Sequence, residues 1–299
     1  MYDIIIIGAG PAGLTAGIYA RRALKKTLIL EAVSYGGQII NTLDIENYPT
    51  EEHISGFDFA TKLYNQTKNL GAEIKFEKVT DINNQKDYKE VITTKESYKA
   101  KTVIIATGAD NRKLGIEREK ELTGKGISYC ATCDGAFYRK KDVAIVGGGN
   151  TAIEDAIYLS DIVNKVYLIH RRDTFRADET LIEQLNEKKN IEFLYNSRIT
   201  KVIGEKKLEK IEVTGNDNTQ EIEVSGLFIA VGKVPETANF AKIVDVNENG
   251  YIIAGENCHT NIPGIFVAGD TRVKELRQLV TATSDGAIAA TEAIKYINS

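Results

Sequence analysis

One pattern occurs twice in this chain and narrows its folding options more than any other feature. It is an apolar run of strand length, a glycine-rich turn, a helical stretch and a second apolar run. The first copy passes from YDIIII (Tyr2–Ile7) through GAGPAG (Gly8–Gly13) and LTAGIYARRAL to TLIL, with Glu31 at its end. The second passes from DVAIV (Asp142–Val146) through GGGNTA (Gly147–Ala152) and IEDAIYLSDIV to VYLI, with His170 at its end. Unbroken apolar runs of this length suit parallel strands buried on both faces, and the change to helical spacing marks a βαβ unit. Each copy later reaches an apolar strand closed by glycine, TVIIATG (Thr102–Gly108) and GLFIAVG (Gly226–Gly232). A third such strand, GIFVAGD (Gly264–Asp270), belongs to neither interval and precedes a last helix read as roughly Leu276–Tyr296.

A strand before a G-x-G-x-x-G turn, a helix after it and a second strand beyond it form the setting of a dinucleotide site. Gly8 permits the tight turn, Gly10 lets a pyrophosphate approach the backbone, and Gly13 lets the helix pack closely on the strand. The helix N-terminus adds unpaired N–H groups and partial positive charge. Glu31 is placed to accept hydrogen bonds from a ribose diol. A glycine turn used only for packing is the plainer alternative, and the complete unit speaks against it. The second turn has the form GxGxxA, with Gly147, Gly149 and Ala152, but His170, Arg171 and Arg172 stand where Glu31 stood, and Arg176 follows. Guanidinium groups form forked, charge-assisted bonds to a 2′-phosphate, each contributing ~1.5–3 kcal/mol, so even one implies roughly tenfold preference for NADP over NAD. A solvated basic strand end is the alternative.

The expected fold is therefore α/β, with two Rossmann-like dinucleotide-binding domains and the second inserted into the first. The expected boundaries are 1–112 and 240–299 for the first domain and 113–239 for the second, with crossings near Asp110–Leu114 and Pro235–Phe240. With 38 basic and 42 acidic residues the net charge is −4, and no basic footprint for nucleic acid is present. No apolar run approaches the ~18 residues of a membrane span. The start of the chain lacks the basic segment of a secretory signal, which is disfavoured. Only three cysteines occur, Cys130, Cys133 and Cys258, which excludes a disulfide-stapled scaffold and suits a reducing cytoplasm. A structural zinc on Cys130-Ala131-Thr132-Cys133 would need two further ligands from Cys258, His259, His53 and His170, a poor cage. A redox dithiol fits better, and a helix beginning at Cys130 would stabilise a thiolate. Asp134 could carry a proton to or from a thiolate, or could simply be a solvated or capping carboxylate. Cys258 reads as a small buried hydrophobe, with His259 and His53 at the surface.

GAGPAG, GGQ (Gly36–Gln38), ENYP (Glu46–Pro49), ATGA (Ala106–Ala109), CATCDG (Cys130–Gly135), GGGNTA, HRRxxxR, VGKVPET (Val231–Thr237) and AGD followed by Arg277-Gln278 occur in order. With these motifs the chain resembles, nearly end to end, the low-molecular-weight bacterial thioredoxin reductases. The resemblance implies an FAD domain interrupted by an NADPH domain. It places Gly8, Gly10, Pro11, Ala12 and Gly13 on the FAD pyrophosphate and Glu31 on the adenosine ribose. Gly37, Gln38 and Asn47 fall on the flavin side, Gly269 and Asp270 at the ribityl–phosphate region, and Arg277 and Gln278 over the isoalloxazine. Gly149, Asn150 and Thr151 would meet the NADPH pyrophosphate, and Arg171, Arg172 and Arg176 its 2′-phosphate. Cys130 and Cys133 would form the disulfide that reduced flavin opens, with Cys133 nearer the flavin, and Asp134 would be the acid–base residue. No metal is implied.

The partner would be thioredoxin or a related small dithiol protein, the assembly a homodimer, and the two domains would rotate about the crossings during turnover. The chain departs from the family pattern at Ala136, where the first of two partner-docking aromatics often stands before Phe137, and at Glu236 and Leu279. A redox sensor that binds the same cofactors without turnover is the rival from another class. It would be reduced once and stall.

Overall fold

Four successive isoleucines at positions 4–7 leave a strand no polar face, so it must lie between two layers. In the computed structural model, which describes residues 1–42, 44–215 and 218–299, β1 (Tyr2–Ile7) does so. Ile4 and Ile6 pack with Leu14 and Ala16 of α1 (Pro11–Arg22) on one side. Ile5 and Ile7 join Leu28 and Leu30 of β2 (Thr27–Glu31) on the other. After α2 (Gly56–Asn69) come β3 (Glu73–Phe76), β4 (Val79–Asn84), β5 (Lys89–Thr93) and β6 (Ser97–Ile105), in the sheet order β3-β2-β1-β6-β5-β4. The two edges of β6 differ. On one, Ala100 and Thr102–Ile105 pair parallel with Tyr2 and Ile4–Ile7 of β1, and on the other Ser97–Ala100 pair antiparallel with β5. A short β7 (Ala109–Asn111) follows.

Residues Asn111–Lys233 form a compact unit of their own, and Met1–Asp110 with Val234–Ser299 form the other. The inner unit opens with α3 (Glu119–Leu122), β8 (Ile127–Ser128) and the single-turn α4 (Ala131–Asp134). Then β9 (Asp142–Gly147), α5 (Asn150–Ser160), β10 (Lys165–Ile169), α6 (Glu179–Asn186) and β11 (Ile191–Leu194) repeat the earlier pattern. An antiparallel meander, β12 (Arg198–Ile203), β13 (Lys210–Thr214) and β14 (Thr219–Glu223), precedes β15 (Gly226–Ala230). The parallel sheet has the order β11-β10-β9-β15-β8. Val143 and Ile145 of β9 face one core, and Ala144 and Val146 the other.

The chain leaves this unit through β16 (Lys233–Pro235), which pairs with β7. β17 (Ile265–Val267) then adds to β6 in parallel, so the third glycine-closed strand lies in the first sheet. The last helix, α7 (Leu279–Asn298), starts three residues beyond the expected Leu276. Gln278 is extended there and its N–H donates to Thr281 Oγ1 at 3.1 Å, so a capping box, rather than the apolar period, sets the start. Two Rossmann-like α/β sheets result. Among the described residues no helix is long and apolar enough to cross a membrane.

The third position of each glycine turn differs between the units. A Cβ on Gly13 would lie 1.9 Å from the Gly8 carbonyl oxygen. Ala152, at the matching place, is fully buried with its methyl toward Gly147. Gly13→Ala should therefore overpack the first unit and cost about 1–3 kcal/mol in urea unfolding. Ala152→Gly should cost about 1–2 kcal/mol, through helix entropy and loss of the buried methyl.

Candidate active site

At the carboxyl end of β1 the chain turns through Gly8, whose φ of +108° and lack of a Cβ let it press on the Ala106 carbonyl. Gly10 is different. A Cβ there would meet nothing nearer than the Gly37 Cα at 3.9 Å, so packing does not require glycine and the space in front of it is open. Gly10 is the N-cap of α1 and Pro11 its first residue, with no side chain satisfying the N-terminal N–H groups. Glu31 Oε2 accepts from Ala9 N–H at 2.8 Å and Oε1 from Val33 N–H at 3.0 Å, which fixes the carboxylate across the turn. Gly269 approaches Ala12, where a Cβ would sit 2.9 Å from the alanine methyl, and Asp270 follows it. Asn47 donates to Gln278 Oε1 at 3.3 Å, while Gln38 donates to Asp110. Arg277 stacks its guanidinium 4.1 Å from the Tyr251 ring centre, and among the described residues its buried Nε has no hydrogen-bond partner.

The second turn repeats this division of labour. Gly147 is pressed by the Ala230 carbonyl at 2.4 Å from a would-be Cβ, while Gly149 meets only the Arg176 carbonyl oxygen at 4.0 Å. His170 is buried with its ring against Gly148, and its Nε2 lies 3.0 Å from the Thr174 carbonyl oxygen; it packs the turn. Arg176 N–H donates to Gly148 O at 2.7 Å, strapping the arginine segment to the glycine turn. Asn150 Nδ2 donates to Asp178 Oδ2 at 2.8 Å and Asn150 Oδ1 accepts from Asp178 N–H at 3.0 Å, while Thr151 is exposed. Arg171 and Arg176 are exposed and Arg172 half-buried, and among the described residues none of the three is ion-paired.

Cys130 and Cys133 are joined in a disulfide, with Cα atoms 5.3 Å apart. The expected helix from Cys130 is corrected by the structure. Cys130 is an extended N-cap, α4 is a single turn from Ala131, and a 3₁₀ turn, Gly135–Tyr138, follows. So short a helix gives little dipole, and polar support comes instead from side chains. Ser128, which the sequence reading passed over, accepts from Cys130 N–H at 3.0 Å and donates to Asp134 Oδ2 at 2.6 Å. Burial raises the Asp134 carboxyl above its ordinary range, and the Ser128 hydrogen bond partly offsets this. Cys258 lies in the other unit, fully buried, with its thiol pushed up to about 12 by burial and by Asp285. His53 and His259 are exposed beside Asp44 and Glu292 at 2.8 and 3.0 Å.

A family model described as pyridine nucleotide-disulphide oxidoreductase matches residues 2–286. A thioredoxin reductase of Listeria innocua is 43% identical over 99% of this chain and 94% of its own length. The crystal structure of a thioredoxin reductase from Streptococcus pyogenes covers 100% of this chain and 98% of its own, at TM-score 0.95 and 42% identity. One from Giardia duodenalis covers 100% and 99%, at TM-score 0.94 and 36% identity. This chain belongs to the pyridine nucleotide-disulphide oxidoreductase family. Within that family it resembles the thioredoxin reductases, and membership implies FAD and a pyridine nucleotide. The residues present fit both groups: open space stands before Gly10 and Gly149, and the Arg277 Nε is a buried donor lacking an acceptor among the described residues.

Beneath the Gly269–Asp270 turn lies a buried ion cluster that sequence reasoning missed. Asp285 Oδ2 accepts from Gly269 N–H, Arg272 Nε and Lys274 Nζ, each at 2.9 Å, and Oδ1 accepts from Arg272 Nη2 at 2.9 Å. Burial alone would raise the Asp285 pKa, but the two cations outweigh it and hold the carboxyl below its ordinary value. A depressed carboxyl stabilises the fold above its unfolded pKa, and that stability is lost as pH falls through the folded one. Asp285→Asn should therefore destabilise the protein by about 3–5 kcal/mol at neutral pH, since it strands buried cations. In thermal melts recorded from pH 7 to pH 3, the variant should also show a flatter acid dependence than the parent.

Proposed function

We propose that this chain is a thioredoxin reductase that moves electrons from NADPH, through FAD and the Cys130–Cys133 disulfide, to the disulfide of thioredoxin or a related small dithiol protein. One observation carries the reading: a closed C-x-x-C disulfide with a half-buried carboxyl beside it, in the same unit as a glycine turn strapped to an arginine segment that has no ion pair among the described residues. The full-length likeness to proteins named thioredoxin reductase supports it. In this reading Gly8–Gly13, Glu31, Gly37, Gln38, Asn47, Gly269, Asp270, Arg277 and Gln278 hold FAD. Gly149, Asn150, Thr151 and the three arginines hold NADPH. A cytoplasmic homodimer belongs to the same proposal.

When bound, FAD supplies a two-electron relay between a nicotinamide and a disulfide. The chain's own task is to orient these groups and manage protons. Gly10 and Gly149 leave room for pyrophosphates at helix N-termini, where N–H groups lack intrahelical partners. Arg171, Arg172 and Arg176 supply positive charge that a 2′-phosphate requires and a plain ribose does not. Asp134, with its carboxyl biased toward the protonated form, can give a proton to a departing thiolate and recover it from the next thiol. Phe137, 41% exposed beside exposed Ala136, offers the partner a single aromatic contact.

Continuous consumption of NADPH with thioredoxin and a chromogenic disulfide tests the proposal. Cys130→Ser and Cys133→Ser should each abolish it while leaving FAD bound; undiminished turnover in either would refute the route through sulfur. Arg172→Ala and Arg176→Ala should each raise KM for NADPH about tenfold and leave KM for NADH nearly unchanged. Anaerobic titration should show preferential reduction by NADPH and uptake of more than two electrons.

A further inference from the structure

Ser128 is the last residue of β8 and lies two positions before the disulfide. It is 5% exposed and pairs with Phe228 of β15, which is itself 1% exposed, so the backbone carrying the hydroxyl is fixed inside the parallel sheet. The oxygen accepts from Cys130 N–H at 3.0 Å. Its single proton has two acceptors in reach, Asp134 Oδ2 at 2.6 Å and the Cys130 carbonyl at 3.2 Å. The shorter bond to a group that ionises is the stronger. Asp134 N–H returns to the Cys130 carbonyl at 3.2 Å. The result is a closed ring that runs from the Cys130 amide through the serine hydroxyl to the carboxyl of Asp134, and from the Asp134 amide back to Cys130.

We propose that Ser128 is a positioning residue for proton transfer at the dithiol: its hydroxyl ties the Asp134 carboxyl to the main chain of Cys130 and so keeps the proton carrier in place through turnover. This rests on Asp134 being the acid–base residue of the function proposed above. In that step an enzyme thiolate attacks one sulfur of the partner disulfide, the partner S–S bond breaks, and the released thiolate takes the proton of Asp134. The second enzyme thiol gives its proton to the Asp134 carboxylate and displaces the mixed disulfide. The Cys130–Cys133 bond is restored and the partner's other sulfur leaves as thiolate. Two electrons and one proton have passed to the partner, and Asp134 is protonated again.

The ionisation of Asp134 is set by burial, which raises it, and by the Ser128 bond, which lowers it. The titratable groups around it are the two cysteines, Tyr138 on the following 3₁₀ turn and Tyr158, which reaches Gly135 from α5. Tyr138 is pushed up to about 12 by burial and by Asp134, so it stays neutral across the working range. A hydrogen bond donated to a carboxylate favours its charged form, so removing the hydroxyl must move the carboxyl further up.

The test is the pH dependence of kcat/KM for the partner disulfide, measured on FAD-loaded wild type, Ser128→Ala, Ser128→Thr and Asp134→Asn. Asp134→Asn should remove one limb of the profile. Ser128→Ala should move that limb upward by about one pH unit or more. Ser128→Thr, which keeps a hydroxyl, should leave it where the wild type has it. The protonated-carboxyl stretch assigned by its loss in Asp134→Asn should persist to correspondingly higher pH in oxidised Ser128→Ala, a readout that needs no turnover. Ser128→Gly makes the same comparison if the alanine variant does not fold. A limb and a carboxyl band unmoved by loss of the hydroxyl would overturn the proposal while leaving Asp134 in its role. A limb that survives Asp134→Asn would overturn the acid–base assignment, and the proposal with it.

Discussion

A helix can rest its first turn against the end of a strand only if nothing stands between the two backbones. At Gly13 there is no room even for a methyl group, because the Gly8 carbonyl oxygen occupies that position. That contact brings the amino end of α1 to the carboxyl end of β1, where unpaired N–H groups face out of the sheet. The apolar strands make it possible. Ile4–Ile7 are buried on both faces and cannot tilt to relieve a clash, so the glycines must. Gly10 is the residue the protein does not need for its own packing, and its openness separates a binding turn from a packing turn.

The two units share this geometry and differ in what stands at the next strand end. Glu31 turns both carboxylate oxygens onto the backbone N–H groups of Ala9 and Val33, so negative charge is fixed beside the first turn. In the second unit the place is taken by His170, which is spent on packing Gly148, and by arginines that find no carboxylate among the described residues. A solvated basic strand end would not require its arginine segment to be strapped to a glycine turn, yet Arg176 donates its N–H to Gly148 O at 2.7 Å. One fold thus offers two sites of opposite charge.

What could be read in the sequence was what depends on neighbours along the chain. The strand–turn–helix units, the spacing of the glycines and the cysteine pair lie in short segments, and the α/β class with two Rossmann-like sheets followed from them. The start of α7 was missed because Gln278 and Thr281 cap it, a local exchange that overrides the apolar period from Leu276. The single turn of α4 was missed because Gly135 must dock against Leu159 and Tyr158, which limits helix growth by tertiary contact. Ser128 and Asp285 carried no motif. Each acts through partners that only the folded chain assembles, and a serine before a cysteine or an aspartate within a helix has many plainer uses.

Two carboxyls of this chain, Asp134 and Asp285, show how burial is turned to different ends. Desolvation is the largest influence on both Asp134 and Asp285, and alone it would raise each above its ordinary range. Asp285 meets two cations and a backbone N–H, and these outweigh burial, so it remains an anion that braces the Gly269 turn. Asp134 meets one hydroxyl, which only partly offsets burial, so its carboxyl stays above its ordinary range. A fixed charge suits a brace, whereas the proton transfer proposed for Asp134 is served by a carboxyl that burial keeps raised. The number and charge of the donors around each carboxyl, two cations against one serine, give the two shifts their opposite directions.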